Sequence, residues 1–301
     1  MKIPSKTITA LVGGAFMISL QVGATPWADL LAERKSLLSE PASALLEHQQ
    51  ELFAEGKAPI IAAPCIKAIE IVECGEKLVD VREVANPRIL MLPNSADGAT
   101  FNSPKRNAGF ASSPKMRKAV FDKLVKTVEQ LDSLAPHFGY EPGQISILVF
   151  EGLRDLSSQA LLFGNKVAEI KSMNSGISND DAEVEASKWV SPVKNNVPVH
   201  STGAAVDIRL WNNDAQDFID AGIFGAIWGP NPSAPTYSED LSDTQKLNRL
   251  YLLAATANAG LTNYVFEHWH FSSGDRYATW WNGAAICGFG PALEKAIYGA
   301  M

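Results

Sequence analysis

His200-Ser201-Thr202-Gly203-Ala204-Ala205-Val206-Asp207-Ile208-Arg209-Leu210 is the stretch on which the reading of the fold turns. Gly203 and the small Ala204 and Ala205 let the backbone turn tightly, and Val206, Ile208 and Leu210 then alternate with Asp207 and Arg209. That period of two predicts a strand with one face in the core and one polar face. Upstream, Ile145 to Phe150 reads as a buried strand leading into Glu151-Gly152-Leu153-Arg154, and Leu156 to Ile170 as a helix. Ser113-Pro114 reads as an N-cap with Pro at the first helical position, followed by Met116, Val120, Leu124, Val128, Leu131 and Leu134 at helical spacing and a stop before Pro136. Downstream, Ser242 and Gln245 form a capping box for a helix with Leu247, Leu250, Tyr251 and Ala254 inside, ended by Gly260. Tyr264 to Phe271 reads as a strand, and residues 69 to 93 as short strands and loops. Helices and strands mix without a regular βαβ repeat, so the expected class is α+β, with a mostly antiparallel central sheet flanked by helices.

The 301 residues, 46% of them hydrophobic, suffice for one sizeable core. A net charge of -7 argues against nucleic acid as a partner, which needs a basic face. Lys2 and Lys6 precede an apolar run from Ile8 to Leu20 and the small residues Val22-Gly23-Ala24, the pattern of a signal peptide cut after Ala24. The competing reading, a membrane anchor, fits less well, because the run is short and Gly13, Gly14, Ser19 and Gln21 dilute it. No later segment has the length to cross a bilayer, so the expectation is a periplasmic or secreted protein without stable membrane insertion once the signal is removed. The expected layout is a signal peptide over 1-24, an N-terminal helical extension over 25-60 and a catalytic domain over 61-301. The extension, with Trp27, Leu30, Leu31, Leu37, Leu38, Leu45, Leu46 and Leu52 interrupted at Pro41, reads as two helices on the outside of the domain. Cys65, Cys74 and Cys287 are an odd number; Cys65 and Cys74 are close enough to close a small loop, and three buried thiols is the equal alternative.

Of five histidines, three fall in two short polar segments, His200 to Asp207 and Glu267-His268-Trp269-His270. Catalytic zinc takes three ligands of the His and carboxylate type and keeps a fourth position open. His200, Asp207 and His270 supply such a set for one ion per chain. Glu267 and His270 are three apart and would point to opposite faces of a flat strand, so a bulge or tight twist is expected there. If they converge, Glu267 stands as the base that takes a proton from water. Arg154, just past a buried strand, is the candidate to stabilise the oxyanion. Each part has a bland competitor: a solvated turn for His200 to Asp207, an exposed strand edge for Glu267 to His270, and a salt bridge to Glu151 or Asp155 for Arg154. Both segments in this order, with the Arg upstream, favour the metal reading. His268 is read as a neighbour, and His48 and His137 as structural.

With these blocks in view, the chain resembles the VanX-type D-alanyl-D-alanine dipeptidases, relatives of the zinc D,D-carboxypeptidases of cell-wall metabolism. The resemblance rests on His200 to Asp207, on Glu267 to Asp275, on Gly152-Leu153-Arg154 after a strand, and on Glu73 to Asp80; it runs from about Ile69 to Trp281. It implies the α+β fold of the hedgehog/DD-peptidase type, a zinc ion held by His200, Asp207 and His270, Glu267 as catalytic base, Arg154 as the transition-state group, and a small D-amino-acid peptide as substrate. Hydrolysis of D-Ala-D-Ala is the leading expectation. Trimming of stem peptides by a D,D- or L,D-carboxypeptidase is the alternative, and a zinc-bearing domain that binds wall peptides without cutting them is the third. The chain departs from the family's pattern at Leu153 and Asp155, where Tyr and Pro are common, at His268, where Trp is common, and at Phe224 to Asn231, which lacks the acid of a Phe-Asp pair that helps hold the substrate amine. Asp220, Glu239 and Asp240 are candidates to replace that acid.

Overall fold

The computed structural model describes residues 25–84, 86–91, 114–222, 232–283 and 295–301; the signal-peptide segment and Phe224 to Asn231 lie outside the described residues. In chain order the elements are helix α1 (Trp27–Arg34), α2 (Glu40–Ala54) and α3 (Pro64–Lys67), strands β1 (Leu78–Asp80), β2 (Ile89–Met91) and β3 (Lys115–Arg117), helix α4 (Lys118–Leu134) and strand β4 (Ile145–Glu151). There follow α5 (Leu156–Met173), α6 (Asn179–Ala186), β5 (Ala205–Asn212), β6 (Asp217–Phe218), α7 (Asp243–Asn258), β7 (Thr262–Tyr264), β8 (Glu267–Ser272) and α8 (Arg276–Asn282). The main sheet runs β2-β4-β5-β8-β7, with β6 also paired to β5. Only the β2-β4 pair is parallel among these, so the α+β, mostly antiparallel expectation stands.

The alternation in β5 is realised. Val206, Ile208 and Leu210 are buried in the hydrophobic core, each worth about 1.5–3 kcal/mol on burial, while Asp207 and Arg209 share the other face. Gly203 adopts φ +71°, and a Cβ there would sit 2.6 Å from Leu78 Cδ2, so the turn that delivers His200 to the start of β5 needs glycine on both counts. Helices α4 and α7 pack on one another, and the Tyr251 hydroxyl of α7 donates to the Leu131 carbonyl of α4 at 2.6 Å. Helices α1 and α2 belong to the same core, with Trp27, Leu30, Leu31 and Leu46 almost wholly buried. The capping box at Ser242 and Gln245 is present as read.

Three local expectations are corrected. Pro114 does not open a helix: Lys115–Arg117 is a strand paired with β1, and α4 begins at Lys118 with Arg117 at its N-cap and no side-chain cap. The helical spacing from Met116 onward was right for the interior of α4 and blind to a strand whose partner is almost forty residues away. The strand read from Tyr264 to Phe271 is two strands, β7 and β8, paired as a hairpin. Cys74 is a free, exposed thiol while Cys65 is disulfide-bonded, so the small Cys65–Cys74 loop is not closed.

Candidate metal and catalytic site

Register brings the site together. On β5, Asp207 stands opposite Glu151 of β4 on one side and His270 of β8 on the other. His200 arrives from the short 3-10 turn Val199–Thr202 just ahead of β5, and its carbonyl accepts the Arg154 backbone N–H at 3.1 Å. One polar atom from each of His200, Asp207 and His270 lies within 4.8 Å of the others, and all three residues are buried. Asp207 Oδ1 sits 3.3 Å from His200 Nε2 and 3.1 Å from His270 Nδ1.

The donor set suits a divalent cation. His200 Nδ1 lies 2.9 Å from the Gly152 carbonyl. A carbonyl only accepts, so the proton sits on Nδ1 and the Nε2 lone pair points at Asp207, the orientation a metal ligand needs. Burial disfavours ionised Asp207, yet the two histidines outweigh it and hold its carboxyl well below the usual range. Burial favours neutral His270, whose pKa is lowered; for His200 the neighbouring Asp207 overcomes burial and the pKa is raised. A carboxylate flanked by two imidazoles is a ligand set that can hold a divalent transition-metal ion.

The bulge expected between Glu267 and His270 is present. Asn263 pairs with Phe271 while its neighbour Tyr264 pairs with Glu267, so one step along β7 answers four along β8. Glu267 and His270 thereby line the same cleft, together with Arg154, Gln159, Tyr264, Trp189 and Ile61. Burial and the Asp207 carboxylate push Glu267 up to about 8, against the pull of Arg154. Arg154 is buried and paired: Nε and Nη2 donate to the Glu151 carboxylate at 2.7 and 2.5 Å, and Nη1 donates to Gln159 Oε1 at 2.8 Å. Burial opposes its charge, but Glu151, Asp207 and Glu267 together raise its pKa. Arg154 therefore keeps both its salt bridge to Glu151 and a place in the cleft; the two sequence readings are not exclusive.

His268 is absent from the ligand group, as expected; it is buried, and burial with Arg249 and Arg209 nearby keeps it neutral. Asp220 accepts from Gln245 Nε2 at 3.2 Å and Glu239 pairs with Lys246; neither they nor Asp240 line the cleft. Sequence reasoning missed Gln159, Trp189, Tyr264 and Ile61. Gln159 sits one helical turn beyond the Asp155 N-cap of α5, a spacing that carries a signal, whereas Ile61 and Trp189 reach the cleft through long-range packing alone.

A buried His-Asp-His set on adjacent strands and an entering turn, with a raised carboxyl and a charged guanidinium beside it, has the make-up of a metal-binding hydrolytic site. The chain belongs to the M15 family of peptidases: the family model described as D-ala-D-ala dipeptidase matches residues 116–283. It is 25% identical over 233 residues to a D-alanyl-D-alanine dipeptidase of Synechocystis sp., covering 71% of this chain and 88% of that one. A solved structure, VanYB in complex with D-alanine-D-alanine, aligns with 16% identity over 70% of this chain and 93% of the other at a TM-score of 0.32. Among the described residues no helix is long and apolar enough to cross a membrane.

Proposed function

We propose that the protein is an exported zinc peptidase that hydrolyses D-Ala-D-Ala or a closely related cell-wall peptide. The observation that carries this reading is the convergence of His200, Asp207, His270, Glu267 and Arg154 on one cleft in a chain of this family. In the proposal His200, through Nε2, Asp207 and His270 hold the ion. Zinc in such a set supplies Lewis-acid chemistry, making water acidic near neutral pH and polarising a carbonyl. A cation held beside Glu267 would favour its ionised form, in which the carboxylate takes the proton of the attacking water and passes it to the departing amine. Arg154, its guanidinium held in place by Glu151 and Gln159, faces the charge that develops on the scissile carbonyl oxygen. Export and a periplasmic or secreted location belong to the proposal and rest on the pattern of residues 1–24.

A carboxypeptidase acting on longer stem peptides is the second reading. Among the described residues the only carboxylates lining the cleft are Asp207 and Glu267, both already engaged, which leaves no acid there for a free substrate ammonium. The test is incubation of the purified protein, with and without a chelator, with D-Ala-D-Ala and with a stem pentapeptide. Chelator-sensitive release of D-Ala from the dipeptide supports the first reading and release from the pentapeptide alone the second. Binding without any release would leave a wall-peptide-binding domain.

A further inference from the structure

The side chain of Asn263 spans the β8 bulge that unites Glu267 with His270. Asn263 is 2% exposed, and its Nδ2 donates to the Glu267 carbonyl at 3.3 Å and to the His270 carbonyl at 3.0 Å. These two carbonyls bracket the residues that fall outside the regular β7-β8 ladder. Asn263 is itself fixed from two directions: its Oδ1 accepts from the Thr236 hydroxyl at 2.6 Å, and its backbone carbonyl accepts from Gln49 Nε2 of α2 at 2.9 Å. A flipped amide would turn Oδ1 onto two carbonyl oxygens, so only one orientation satisfies the contacts.

We propose that Asn263 is a positioning residue, a clamp whose amide holds the β8 bulge in the shape that turns the Glu267 and His270 side chains toward one cleft. Without those two donated bonds, two backbone carbonyls at the bulge each lose a donor. The strand then has less to gain from the bulge than from a regular ladder, in which residues three apart face opposite sides. His270 would leave Asp207 and His200 first. Thr236 acts one step behind, orienting the amide. The inference rests on the metal-site reading for its functional consequence, and on the bulge geometry alone for its structural one.

The test uses Asn263→Asp, nearly isosteric, which keeps the acceptor for Thr236 and removes both donors, and Thr236→Val, which keeps Asn263 and removes the hydroxyl that aims it. Thr256→Val serves as the control, because it deletes a buried hydroxyl that donates only to the Leu252 and Leu253 carbonyls of its own helix α7 and to neither bulge carbonyl. Three quantities are measured: zinc affinity by competition with a chromophoric chelator, the imidazole 15N shifts of His270 in metal-free protein, and kcat and KM on D-Ala-D-Ala. Asn263→Asp is expected to weaken zinc binding about ten- to a hundredfold, to shift the His270 nitrogens away from their Asp207-bonded values, and to lower kcat while KM stays within about twofold. Thr236→Val should follow in the same direction by less, and it carries the test should Asn263→Asp fail to fold. Thr256→Val should lower the thermal midpoint and leave the other readouts as in wild type. Unchanged His270 shifts in both bulge variants, or equal loss of zinc affinity in Thr256→Val, overturns the clamp. Absence of peptidase activity in the wild type would overturn the functional reading instead, leaving the shifts to judge the clamp.

Discussion

Glu267 holds its proton up to about pH 8 in the metal-free fold because it is buried beside Asp207, whereas in an unfolded chain it lets go near 4.5. Between those values the folded state binds more protons, so the contribution of Glu267 to stability is full below about 4.5 and is lost as pH rises through about 8. Metal-stripped wild type should therefore lose thermal stability from about pH 5 to 8 more steeply than Glu267→Gln, and equal slopes would show that the carboxyl does not titrate there. Loaded with metal, the same variant should keep its zinc content and lose about 10²- to 10⁴-fold in turnover, the range for a removed general base. Wild-type turnover in Glu267→Gln would reject the mechanism.

At the scale of the element, α5 (N-cap Asp155, the residue after Arg154) carries Gln159, so its start fixes both Arg154 and the Gln159 that pairs with its guanidinium. Asp155 caps it: the carboxylate accepts from the Ser158 backbone N–H at 2.8 Å and from the Ser158 hydroxyl at 2.6 Å. Although burial works against the charge, these hydrogen bonds with those from Ser157 bring its pKa down to about 2. The cap thus contributes fully above about pH 4 and is lost as pH falls toward about 2. Asp155→Ala should cost about 1 kcal/mol in denaturant unfolding and lower kcat by loosening Arg154, while Asp155→Ser should recover most of both. Equal stability of Asp155→Ala and wild type would remove the cap from the account. The capping residues of α7 were legible because a cap is a local contract over three residues. The strand at Lys115–Arg117 was not, because its existence depends on pairing with Leu78–Asp80.

For the molecule as a whole, α1 and α2 are part of the common core and send Gln49 to the hairpin that carries the site. Trp27, Leu30, Leu31, Leu46 and Leu52 are each buried; at about 1.5–3 kcal/mol per side chain, their combined burial is comparable with the whole stability of a domain. A chain beginning at residue 58 should therefore unfold without a cooperative transition and bind zinc poorly. A sharp transition with wild-type zinc affinity in that truncation would show the helices to be an appendage.

The sequence alone determined the chemistry-bearing side chains and the local patterns around them: the alternation in Val206 to Leu210, the glycine turn at Gly203, the need for a bulge between Glu267 and His270, the capping box at Ser242. These follow from periodicity and from the steric demands of single residues, which act over a few positions. Only the tertiary structure decided that Asp207 lies between Glu151 and His270, that Arg154 is shared between Glu151 and the cleft, and that Ile61, Trp189 and Asn263 belong to the site. Those relations are set by strand register and by packing between segments tens to hundreds of residues apart, where burial and hydrogen-bond satisfaction over the whole chain choose among arrangements that local sequence leaves equivalent.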